Sequence, residues 1–142
     1  MMKIRRMKHL WLVLFIIFFS LTCNYTDFEC DQHDISDCNS DDKKTNIRVF
    51  NSSDYDFCNV VISIGEGRKH GEIKSGENTC YREYDKAYRY AYVSLMIDGE
   101  DLVIQPTDYV GETPLGIGYF TYHLDLEEIN NKKQLSIYTT TD

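Results

Sequence analysis

Two side chains on one strand carry the strongest hint of chemistry in this sequence. Of its four histidines, His9 and His33 fall in amino-terminal segments without core character, which leaves His70 and His123. His123 and Asp125 stand two apart in an alternating run, Tyr119 to Leu126, so a strand there puts both on one face. Such a pair can ligate a metal or act as base and orienter. A carboxylate from the preceding loop, Asp108 or Glu112, would complete a hydrolytic or metal-dependent set. Two polar residues on a solvated strand face give the same spacing with no reaction, and little else accompanies them. A thiol nucleophile at Cys58 or Cys80 beside a histidine is a further option, but in an exported domain cysteines oxidise together. No serine elbow, phosphate loop, dinucleotide fingerprint or zinc-protease helix occurs. The balance falls against an enzyme, with neither a cofactor nor a metal expected.

Tyrosine is the compositional excess. There are 11, five of them within Tyr81 to Tyr92. In an extended strand Tyr88, Tyr90 and Tyr92 would form an aromatic ladder. Sugar rings stack on such faces, and tyrosine also suits protein interfaces because it buries area at little entropic cost. Packing on neighbouring strands would use the same residues structurally. The loop from Pro106 to Gly118 is the second candidate, with Asp108, Tyr109 and Glu112 as polar contacts and glycines that permit close approach.

These residues need a scaffold, and the period of two supplies one. From Ala87 to Ile104 the sequence reads as a long hairpin. Ala91, Val93, Leu95 and Ile97 fall on one side, Asp98-Gly99 makes the turn, and Leu102 and Ile104 return. Ile47 and Val49, then Val60, Ile62 and Ile64, give earlier strands, and His70 to Ile73 and Thr79 to Tyr84 shorter ones. Phe120 to Leu126 and Leu135 to Thr139 close the series, separated by a polar turn from Glu127 to Lys133. About seven or eight strands with frequent turns predict an all-β fold, an immunoglobulin-like or related antiparallel β-sandwich, over residues 45–142.

The front of the chain reads differently. Lys3, Arg5, Arg6 and Lys8 precede ten apolar residues, Leu10 to Phe19, too short a run to span a membrane and typical of a signal peptide over residues 1–22. Without those four cations the chain holds 11 basic against 23 acidic residues, a net of −12 in place of −8, which disfavours nucleic acid as a partner. Asn24 to Asp42 carries seven carboxylates and no Lys or Arg, and residues 23–44 read as an extended acidic tether.

Ser20-Leu21-Thr22-Cys23 resembles the lipobox of bacterial lipoproteins, with Ser20 at −3 and Thr22 at −1 in place of the usual Leu and small residue. The acids that follow resemble the surface-export signal of Bacteroidetes-type lipoproteins, through Asp27 and Glu29. The resemblance implies lipidation of Cys23, membrane attachment through that lipid, and residence on the bacterial envelope, at the outer membrane or cell surface. It also leaves four cysteines for disulfides, since one of five is acylated. The local pairing joins Cys30 to Cys38 and Cys58 to Cys80. The expected role is an anchored, non-enzymatic binding or structural module for a protein or glycan.

Overall fold

The computed structural model describes residues 29–107 and 111–142. The signal segment and Cys23 lie outside the described residues, as do Asp108 and Tyr109. The body is all-β, in two four-stranded layers. Its strands are β1 (Thr45–Asn51), β2 (Phe57–Ile64), β3 (Glu66–Ile73), β4 (Arg82–Tyr84), β5 (Tyr92–Ile97), β6 (Glu100–Ile104), β7 (Gly118–Ile129) and β8 (Lys132–Thr141). One sheet runs β4-β1-β7-β8 and the other β3-β2-β5-β6. All neighbours pair antiparallel except β1 and β7, which run parallel from Thr45 opposite Gly118 to Asn51 opposite Leu124.

Alternation decides what faces inward. Ile47 and Val49 of β1 and Phe120, Tyr122 and Leu124 of β7 meet Phe57, Val60 and Ile62 of β2 and Val93, Leu95 and Ile97 of β5 in one core. The turn at Asp98 and Gly99 has φ of 52° and 80°, the left-handed geometry that a two-residue hairpin requires.

Three expectations need correction. The hairpin strand begins at Tyr92, not Ala87. Residues 87–91 instead tuck across the end of the sandwich: Ala87 and Ala91 are buried, and the Tyr122 hydroxyl donates to Tyr88 O at 2.6 Å. Glu127 to Lys133 is no polar turn, because β7 and β8 pair as far as Ile129 and Lys132 around Asn130 and Asn131. These asparagines, at φ of 53° and 58°, do without glycine what Asp98-Gly99 does elsewhere.

The third concerns residues 30–44, which are bound to the sandwich and do not trail from it. The disulfides join Cys30 to Cys58 and Cys38 to Cys80. The local pairing fails: Cys58, on β2, is taken by Cys30, and Cys80, which leads into β4, is taken by Cys38. Between its two staples the strap follows β3. Asp31 N donates to the Asn59 side chain at 2.9 Å, at a bulge in β2, and Asp34 N donates to His70 O at 3.0 Å. A Cβ on Gly71 would come within 1.9 Å of Gln32 O, so only glycine admits the strap this closely.

Candidate functional site

The strap covers the seam where edge strand β3 of one sheet meets edge strand β4 of the other. Arg82 on β4 is fully buried there and fixes three segments at once. One Nη donates to Lys69 O on β3 and the other to Asp34 O on the strap, both at 2.7 Å. His70 is 1% exposed, and neither ring nitrogen has a partner among the described residues. Burial, reinforced by the Arg82 cation, pushes its pKa down to about 3. Further along the same seam the Arg68 guanidinium lies 4.5 Å over the ring of Tyr84.

Past Arg68 the seam opens into a cleft of about 600 Å³. The β2–β3 turn forms one wall, and the chain from Glu83 to Tyr88 forms the other. Lys44 bridges Glu83 at 3.2 Å and Asp85 at 3.3 Å, and these hydrogen bonds raise the lysine's pKa. The Lys86 ammonium lies 5.2 Å from the ring centre of Tyr88. The cleft therefore presents the half-buried Tyr88 ring with Lys86 on its face, over a buried Tyr84 capped by Arg68, beside the ion pairs of Lys44. Aromatic faces flanked by hydrogen-bonding charge suit a sugar ring or a peptide side chain better than a reacting bond.

Of the expected ligand residues, Tyr88 lines this cleft. Tyr90 and Tyr92 do not join it in one ladder, because Tyr88 and Tyr90 precede β5 and no strand aligns the three. His123 and Asp125 do share the outer face of β7, but each bonds other partners. His123 stacks on Tyr138 at 4.4 Å and meets Phe50 edge-on at 5.4 Å. Its nitrogens lie 2.9 Å from Thr140 Oγ1 and 3.4 Å from Ser52 Oγ. Burial lowers its pKa, while Asp125 accepts from Leu126 N at 2.8 Å. Glu112 is exposed, and among the described residues no group of three or more His, Cys, Asp or Glu side chains is placed to hold a metal ion. Sequence reasoning missed Lys44, Arg68, Tyr84 and Lys86, which only the meeting of two sheet edges brings together.

No protein-family model and no curated protein matches the chain. Among solved structures, an NMR structure of a protein from Eubacterium rectale matches with a TM-score of 0.50 and 16% identity. The match covers 70% of this chain and 94% of that one. The likeness is one of fold. It supports the two-sheet arrangement and leaves function to the site itself.

Proposed function

We propose that the chain is an exported, lipid-anchored recognition module whose cleft holds a glycan, and that it performs no catalysis. The carrying observation is the half-buried Tyr88 ring set among charged groups in one concavity. A pyranose stacks its C–H face on such a ring while its hydroxyls bond the neighbouring charges. Two disulfides are compatible with life outside a reducing cytoplasm. Anchoring rests on the lipobox-like run ending at Cys23.

Two measurements test this reading. A glycan array with the full chain should find a ligand, and Tyr88→Ala should weaken it several-fold, the direct loss of one stacked ring, on the order of 0.5–1.5 kcal/mol, with the melting temperature unchanged. Undiminished binding by that variant removes the cleft, and a protein ligand with no glycan removes the sugar. For the anchor, metabolic labelling with a fatty acid should mark the wild type and not Cys23→Ser; equal labelling, or none in either, sinks it.

A further inference from the structure

The cations of the cleft are not equivalent. Lys44 is committed, with Glu83 and Asp85 both within 3.3 Å. Arg68 and Lys86 have no carboxylate within 4 Å among the described residues and rest on tyrosine faces instead. Arg68 is half-buried, so its charge is partly withdrawn from water without a counter-ion. The remaining carboxylate of the lining, Glu66, is exposed at the rim. A guanidinium whose carbon lies 4.5 Å over a ring keeps N–H groups that can offer a carboxylate the bidentate fork.

We infer that the cleft selects an acidic glycan, one bearing a carboxylate on its sugar ring, with that carboxylate taken by Arg68 and Lys86 and the ring laid against Tyr88. This rests on the glycan reading above and adds the ligand's charge to it. The chain's overall net charge of −8 makes the point sharper. Its general field repels anions, so selection for one has to come from these two local cations.

Calorimetric titration of the full chain separates the possibilities. The probes are oligogalacturonate and sialyllactose, with neutral oligogalactose and lactose as their uncharged counterparts. Acidic probes should bind at least tenfold more tightly than neutral ones, and added salt should erode that margin. Arg68→Gln and the exposed Lys86→Gln should each reduce the margin, weakening the acidic probes more than the neutral ones; Arg68→Lys should recover only part of it, because an ammonium lacks the fork. Equal affinity for charged and neutral probes, or a margin indifferent to both Gln variants, overturns the acidic-ligand inference and leaves the glycan reading standing. Failure of every sugar to bind overturns both.

Discussion

Acidification from pH 6.5 to pH 4 should cost the folded chain about 3 kcal/mol through His70 alone. In the folded state its pKa stands at about 3, against 6.5 for the free side chain. The unfolded chain therefore takes the proton first. Stability is complete above pH 6.5, falls by about 1.4 kcal/mol per pH unit below it, and levels off only near pH 3. Burial is the main reason the fold resists the proton, and the groups around His70 add to it. Arg82 on β4, Arg68 on β3 and His33 on the strap all oppose a second positive charge, and only Asp34 favours it. Urea titrations at stepped pH should show this slope in the wild type. His70→Leu should lose it, and should hold or gain stability at pH 7, since the imidazole leaves two buried nitrogens without partners. His123, also lowered by burial, adds a slope of the same sign that this variant keeps. An acid limb identical in both proteins would mean that His70 does not stay neutral in the fold.

Opening both disulfides should destabilise the chain still more, by up to about 7.6 kcal/mol on the chain-entropy relation. The sequence separations of 28 and 42 residues correspond to about 3.6 and 4.0 kcal/mol respectively. The loss is large for a domain of this size, whose total stability is on the order of 5–15 kcal/mol. Thermal melts with and without reductant should differ accordingly, and Cys30→Ser with Cys58→Ser should account for roughly half. Once freed, the strap would uncover Arg82, whose Asp34 acceptor leaves with it. Peptide mapping of the oxidised protein should recover the 30–58 and 38–80 links. Recovery of a 58–80 link would contradict this connectivity.

Much of the scaffold was open to reading from the chain, and the reasons are specific. Val93, Leu95 and Ile97 alternate because one face of β5 meets the core, and Asp98-Gly99 announces its turn by composition. Period-two patterning stops informing where a segment is buried for other reasons. Ala87 to Ala91 continues the alternation of β5, yet it leaves the sheet to close the end of the sandwich. Asp31 to Asp42 looked solvated because its side chains are acidic, whereas its backbone and two cysteines hold it down. The candidate site was the least legible part. Arg68 and Tyr84 are 16 positions apart, on strands with no pairing between them, and their contact exists only because two sheet edges face each other. Four cysteines admit three pairings, and the course of the strap along β3, which composition does not encode, selects among them.

The two crossed links also set how the molecule would bear tension. A pull applied ahead of Cys30 has its shortest covalent route along the strap to Cys38 and then directly to Cys80. Residues 39–79, which include β1, β2 and β3, are bypassed and cannot be drawn out while the links hold. Beyond Cys80 the 62 residues that follow can lengthen, by about 210 Å at full stretch. A chain held at its front end and pulled from beyond Cys80 would thus keep three of its eight strands outside the line of force.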